Sequence, residues 1–152
     1  MQERPLKDKQ ALQKLYDTIL PELAKHIHQH LADVIVLFHD FRLERLVDTW
    51  TREPSADAGS EVSIEKGNVN RMGLRLRLEG FQRVGADNFD LTKDLLFRLD
   101  RNFYTVGPNP ENVWLEKDYL QRWDDAEYEL VAEKWTEELI DDLTQRLEKL
   151  ST

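Results

Sequence analysis

The C-terminal segment of the chain carries an unbroken apolar stripe at helical spacing. Apolar side chains recur every three or four residues from Tyr128 to Leu150, and charged side chains fill the positions between them. The stripe consists of Tyr128, Val131, Ala132, Trp135, Leu139, Leu143, Leu147 and Leu150. This period predicts an amphipathic helix whose apolar side closes a core. Asp124 and Asp125 precede the stripe as candidate N-caps, so we expect one long helix over residues 124–150.

The C-terminal part of the chain that contains this segment carries nearly all of the net negative charge. The 152-residue sequence has a formal net charge of −9, and residues 107–152 contain 13 Asp and Glu against 5 Lys and Arg. Glu133, Glu137 and Asp141 fall opposite the apolar stripe, on the outward side of the expected helix. Clustered charge steers an oppositely charged partner, so these three residues are a candidate surface for binding a basic protein. The alternative is a solvated acidic side that keeps the protein soluble.

A second helical pattern lies near the N-terminus. Apolar residues recur at three- and four-residue steps over Leu12–Ile27, which predicts helical structure from about Leu6 to Leu31. Pro21 interrupts this run because proline lacks the backbone N–H that a helix interior needs. Either the helix kinks at Pro21, or Thr18 caps a second helix that holds Pro21 in its first turn.

Between the two helical segments the sequence has the composition of β-strands. The run Val34–Phe38 is rich in β-branched and aromatic residues and predicts a strand buried on both faces. Leucines alternate with charged residues over Met72–Leu78, the pattern of a half-buried strand. Residues 91–106 fit both periods, and their β-rich second half favours a strand there. Residues 43–50 fit either a helix or a continued strand.

Shorter segments complete the predicted order. Val62–Glu65 alternates like a strand, and Lys66–Asn70 is typical of a hairpin connection. Residues 53–60 are small and polar, which predicts a mobile loop. Gly107–Pro110 is a turn signal, and Val113–Leu115 is a candidate short strand after it.

A leading helix, several strands and a final helix together predict an α+β fold. We expect an antiparallel sheet of about four to five strands packed against the N-terminal and C-terminal helices. One domain spanning residues 1–152 accommodates these elements. A chain of this length buries enough surface to fold without disulfides, and the sequence contains no cysteine that would form one.

All four histidines lie between residues 26 and 39. On a helix, His26, His30 and Asp33 share one side because they are four and three residues apart. Imidazole and carboxylate groups at this spacing can bind zinc or another divalent metal, so these residues are a candidate metal site. On this hypothesis the chain is a metal-dependent enzyme or a metal-binding domain. The alternative is a polar helix end whose imidazoles face solvent.

Arg75 and Arg77 occupy adjacent outward positions of the expected strand Met72–Leu78. Arginine side chains in such a row bind phosphate or carboxylate groups. They can equally pair with the acidic helix of the same chain, or with that of a second copy in a homodimer. Both residues are therefore candidates for a partner-binding surface.

Three aromatic residues flank the start of the C-terminal helix: Trp114, Tyr119 and Trp123. Large aromatic side chains at such positions pack either into the core or into the wall of a ligand pocket. The second interpretation gives a further functional hypothesis. On that hypothesis, the chain binds a small ligand in a pocket between the sheet and the helices, lined by Trp114 or Phe103.

The sequence lacks the local motifs of common enzyme classes. It contains no glycine-rich phosphate loop, no G-x-G-x-x-G and no G-x-S-x-G. The negative net charge argues against binding nucleic acid or an anionic membrane, and residues 1–17 lack the apolar core of a secretory signal. We therefore expect a non-catalytic cytoplasmic module that binds another protein and needs no cofactor, such as an adaptor, a chaperone or an inhibitor-like protein.

Overall fold

The computed structural model of the chain describes residues 7–47, 69–82 and 89–150. The loop expected at residues 53–60 and the strand expected at Val62–Glu65 lie outside these ranges. Most of the hairpin connection expected at Lys66–Asn70 does so as well. The fold is therefore built from the three described segments.

The fold is α+β, as the sequence predicts. A five-stranded sheet has the strand order β1-β2-β3-β4-β5, and every neighbouring pair is antiparallel. The strands are β1 (Phe38–Val47), β2 (Arg71–Phe81), β3 (Leu91–Leu99), β4 (Phe103–Gly107) and β5 (Leu115–Asp118). The helices are α1 (Lys9–Lys14), a π-helical turn (Leu15–Ile19), α2 (Leu20–His30), α3 (Ala32–Ile35) and α4 (Asp125–Leu150).

Strand β2 fixes the two faces of the sheet through its alternating sequence. Met72, Leu74, Leu76 and Leu78 are fully buried and point toward the helices. Arg75 and Arg77 fall between them and lie on the opposite face. Strand β3 is in register with this pattern, because Leu74 pairs with Leu95. The core therefore lies between one face of the sheet and helices α1, α2 and α4.

Pro21 shapes the N-terminal helix without ending it. Helical structure runs through α1 and α2 as expected, but the turn Leu15–Ile19 between them is π-helical. The backbone N–H of Leu20 donates to the carbonyl of Leu15, five residues back, which widens the helix just before the proline. Pro21 thus lies in the first turn of α2. Thr18 belongs to the π-helical turn, and no side chain caps α2.

The prediction of a strand at Val34–Phe38 is wrong. Residues 32–35 form the short helix α3, and β1 begins only at Phe38. The carbonyl of Leu31 accepts hydrogen bonds from the N–H groups of Val34 and Ile35, so the β-branched run continues the helical path instead of extending. Tertiary packing overrides β propensity here, because this path buries Leu31 and Val34 in the core.

The two segments whose sequence fits either a helix or a strand form strands where the structure describes them. Residues 43–47 continue β1, while residues 48–50 lie outside the described ranges. Residues 91–99 form β3, so the period of two prevails over the helical period. The short strand expected at Val113–Leu115 instead runs over Leu115–Asp118 as β5. Gly107 ends β4 where the chain doubles back, and a Cβ atom there would lie 1.8 Å from the carbonyl oxygen of Asn112.

Helix α4 is the longest element, and it packs against α2 as well as the sheet. Its residues Trp135 and Leu139 are fully buried, and Leu143 is nearly so. The predicted stripe therefore faces the core from Tyr128 to Leu143, and Leu147 is partly buried against it. Within the described residues, no helix is both long and apolar enough to cross a membrane.

The start of α4 generates the first prediction. The carboxylate of Asp124 accepts from the backbone N–H of Glu127 at 2.8 Å, and the Glu127 carboxylate accepts from the N–H of Asp124 at 3.0 Å. This reciprocal pair is a capping box. We expect Asp124→Ala to lower the free energy of unfolding by about 1 kcal/mol in urea denaturation. Asp125→Ala removes the same charge one residue later and is the control. An equal loss from both variants would show that charge, not the cap, is responsible.

Candidate functional site

The carboxylates of α4 fall into two groups according to the direction in which they leave the helix. Those at the borders of the buried stripe contact other elements of the chain. Those opposite the stripe point outward. Because an α-helix turns by about 100° per residue, the position of each residue along α4 decides its group.

Glu129 joins α4 to α2 through two histidines. Its Oε1 lies 2.5 Å from Nδ1 of His26, and its Oε2 lies 2.8 Å from Nε2 of His30. The two imidazoles lie on successive turns of α2 and share this one carboxylate. The His26 ring also stacks on Tyr128, with 5.2 Å between ring centroids and 8° between planes. Hydrogen bonds from His26, and then from His30, lower the pKa of Glu129 below its usual range.

The two histidines of the candidate metal site thus come together, but Glu129 occupies the position expected for Asp33. Asp33 is exposed in α3 and makes no hydrogen bond or ion pair with the rest of the described chain. Over the three described ranges, no group of three or more His, Cys, Asp or Glu residues is arranged to hold a metal ion. The geometry gives His26 and His30 a role in joining helices.

Lys117 forms the most buried ion pair among the described residues. Its side chain is only 5% exposed, although it lies on the edge strand β5. Its Nζ donates to both carboxylate oxygens of Glu127, at 2.6 and 2.8 Å, and to the carbonyl oxygen of Arg122 at 2.6 Å. The ammonium also lies 5.9 Å from the ring centroid of Trp123. Burial of this charge is tolerated because all three of its N–H donors have acceptors.

A second lysine joins α4 to the sheet. Lys93 of β3 projects from the face of the sheet that meets the helices. Its Nζ lies 3.3 Å from Glu138 and 3.2 Å from Asp142, which are successive turns of α4. Four carboxylates of α4 therefore pair with groups of the same chain: Glu127, Glu129, Glu138 and Asp142.

The aromatic residues around the start of α4 belong mainly to the core. Trp123 and Tyr119 are buried, and Trp114 is half-buried. The indole N–H of Trp123 donates to the hydroxyl of Tyr104 at 2.7 Å, and the ring stacks in parallel with Phe97. Burial raises the pKa of Tyr104 well above its usual range. These contacts are those of packed core residues.

Arg75 and Arg77 of β2 each pair with a carboxylate of a neighbouring strand. Arg75 makes a bidentate contact with Asp94 of β3, with its Nε 2.7 Å from Oδ1 and its Nη2 3.0 Å from Oδ2. This hydrogen bonding raises the pKa of Arg75. Arg77 lies 3.5 Å from the carboxylate of Glu44 in β1. The outward face of the sheet thus neutralises part of its own charge.

The outward side of α4 carries three carboxylates that have no partner among the described residues. Glu133, Glu137 and Asp141 are exposed, and none of them makes a hydrogen bond or ion pair with the described residues. Two apolar side chains share this side of the helix, with Leu130 at 40% and Ile140 at 44% exposure. We call these five residues the outer row of α4.

A cleft of about 390 Å³ opens at the far end of β3. It is lined by Lys7, Asn70, Leu99, Asp100 and Arg101. The expected pocket wall of Trp114 or Phe103 takes no part in it. Lys7 is already bonded to Asn70, with Nζ 2.7 Å from Oδ1, and its backbone N–H donates to the carbonyl of Arg101. The cleft therefore marks where the N-terminal segment is tied to the turn between β3 and β4.

Comparison with models of protein families, with curated protein sequences and with solved structures finds no match to this chain. The case for a function therefore comes from the geometry alone.

The sequence does not predict several of the contacts made by the candidate site residues. Glu129 lies about a hundred residues from His26, so no local spacing joins them. Lys117 follows Glu116 in a charged stretch, which is typical of residues exposed to solvent. Leu130 and Ile140 carried a signal, because they are apolar residues on the acidic side of the predicted helix.

The Glu129 cluster generates a prediction about acid stability. Because the pKa of Glu129 is lowered in the folded chain, its contribution is present above the usual glutamate value of 4.5 and is lost as pH falls through the folded value. We expect Glu129→Gln to lower the free energy of unfolding by about 0.5–1 kcal/mol near pH 6, because the side chain is 45% exposed. The difference from wild type should vanish once the pH has fallen below the lowered pKa of Glu129 in the folded chain.

Urea denaturation across this pH range measures the effect. Glu133→Gln removes a carboxylate one turn later that has no partner in the described chain, so it is the matched control. A pH-independent difference for Glu129→Gln, or an equal one for the control, would contradict the assignment.

The buried pair of Lys117 and Glu127 generates a prediction about coupled effects on stability. Lys117→Met keeps most of the apolar stem but leaves Glu127 without its cation, so we expect a loss of about 3 kcal/mol in the free energy of unfolding. Adding Glu127→Gln to this variant should recover part of the loss, which a double-mutant cycle measures. Lys134→Met, at an exposed lysine of α4, should cost under about 0.5 kcal/mol. Additive effects of the two core substitutions would rule out direct coupling.

Proposed function

We propose that this chain is a non-catalytic protein-interaction module that binds a basic partner through the outward side of α4. One observation carries the proposal. Glu133, Glu137 and Asp141 have no partner in the described chain, whereas Glu127, Glu129, Glu138 and Asp142 on the same helix all pair with cationic or imidazole groups.

The spacing of the three carboxylates favours a partner. They follow one another at four-residue intervals, so each lies one turn from the next on the same side of the helix. Like charges at this spacing destabilise a helix by about 0.2–0.5 kcal/mol per pair. A basic partner relieves this repulsion and is drawn in by the same field.

The sheet offers a weaker surface for charged partners. Arg75 and Arg77 already contact Asp94 and Glu44, so less of their charge is left for a second molecule. This weakens the case for a homodimer in which these arginines meet the acidic helix of another copy. We therefore assign the partner to α4.

An adaptor, a chaperone or an inhibitor of the cytoplasm is consistent with this binding role. The sequence contains no cysteine, so it cannot form the disulfides that are typical of proteins in oxidising compartments. It also contains no local catalytic motif.

A capture experiment tests the proposal. The wild-type chain is used as bait in a lysate of its source cells, and the retained proteins are quantified by mass spectrometry. We expect a set of basic proteins that is retained at low salt and released at high salt. Exposed charges are screened beyond about 8 Å at physiological ionic strength, and this distance shortens as salt is added. Glu133→Gln, Glu137→Gln and Asp141→Asn combined should reduce that set by about tenfold.

A charge-matched variant gives the control. Glu79, Glu111 and Glu116 are exposed acids outside α4, and changing all three to Gln removes the same charge. Retention should be unchanged in this variant. Equal retention by wild type and by the α4 variant, at every salt concentration, would contradict the proposal.

A further inference from the structure

We infer that the partner segment is a basic amphipathic helix that lies along α4 and covers Leu130 and Ile140. This inference rests on the proposed function and adds the shape and apolar contacts of the partner to its charge. It starts from the composition of the outer row, in which apolar and acidic side chains occur on the same side.

The outer row runs along the helix axis and contains both apolar and acidic side chains. At about 100° per residue, Leu130, Glu133, Glu137, Ile140 and Asp141 fall within roughly a third of the helix circumference. At about 1.5 Å per residue, Leu130 and Ile140 lie about 15 Å apart along the axis. Glu133 and Glu137 lie between these two apolar side chains.

This arrangement differs from the scattered apolar residues found elsewhere on the surface. Val36, Val113 and Leu120 are also exposed, but each belongs to a different part of the described chain. Isolated exposed apolar residues are normal in soluble proteins. Leu130 and Ile140 differ because they bracket two unpaired carboxylates on one rigid element.

A helix fits this row better than an extended strand. A strand advances by about 3.3 Å per residue and alternates its side chains, so about five residues cover 15 Å and only two or three of them face α4. A helix covers the same length with about ten residues, of which four or five lie on one side. That number matches the five side chains of the outer row.

The chemistry of the partner helix follows from the same positions. Two apolar side chains about ten residues apart meet Leu130 and Ile140. Lys or Arg residues between them meet Glu133, Glu137 and Asp141. The apolar contacts set where the helix sits along α4, and the charged contacts set the rate at which it arrives.

Binding of a synthetic peptide to the full chain tests the inference. The probe is a fluorescently labelled helical peptide with two leucines about ten residues apart and lysines between them on the same side. A control peptide of identical composition has its leucines on the opposite side of the helix. Fluorescence anisotropy at low salt should show binding of the first peptide about tenfold tighter than that of the control.

Variants of the chain complete the test. Leu130→Gln combined with Ile140→Gln should weaken binding of the first peptide about tenfold and remove the preference between peptides. Val113→Gln combined with Leu120→Gln alters two exposed apolar residues elsewhere and should change neither. Circular dichroism melting of both variants establishes that they fold as wild type does.

The outcomes separate this inference from the proposed function. Equal binding of the two peptides, with no effect of Leu130→Gln and Ile140→Gln, overturns the inference. If removal of the three carboxylates still abolishes capture from lysate, the acidic-surface proposal stands without it. No binding of the first peptide to the wild-type chain also overturns the inference.

Discussion

Trp135 is fully buried at the centre of α4, and its indole N–H donates to the backbone carbonyl of Asp94 at 3.1 Å. This contact holds the long helix against β3. The side chain of Asp94 points to the other face of the sheet, where it holds Arg75 in a bidentate pair. One residue of β3 therefore links the helix, the core and the outward face of the sheet. The rotation of α4 about its own axis is set by this contact and by the buried stripe around it.

The fixed rotation explains why the acidic residues of α4 differ in role. Residues on one border reach Lys93 of β3, and Glu129 on the other border reaches the histidines of α2. Each contact gives one of these carboxylates a partner within the fold. Among the described residues, Glu133, Glu137 and Asp141 on the outward side of α4 have no such contact. The concentration of acids at the C-terminal end of the sequence is thus partly structural, and only part of it is available to a partner.

The sequence predicts the elements whose apolar residues recur at a regular spacing. It does not predict structure that depends on contacts between residues far apart in the chain. Helix α4 and strand β2 follow from spacing alone, because each buries the side that carries its regularly spaced apolar residues, in α4 from Tyr128 to Leu143. The run at Val34–Phe38 misleads because its β-branched composition is outweighed by the hydrogen bonds and burial of α3. The partner of His26 and His30 is Glu129 and not Asp33, because the packing of α2 on α4 joins positions 99 and 103 residues apart. Such pairings have no local signal.

We propose that the outer row of α4 is the surface that meets a partner. Methyl NMR of the labelled chain during titration with the basic helical peptide tests this proposal most directly. We expect saturable shifts at the methyl groups of Leu130 and Ile140, with smaller shifts at Leu139 and Leu143 on the buried side of the same helix. Shifts centred on Val113 and Leu120, with none at Leu130 and Ile140, would contradict it.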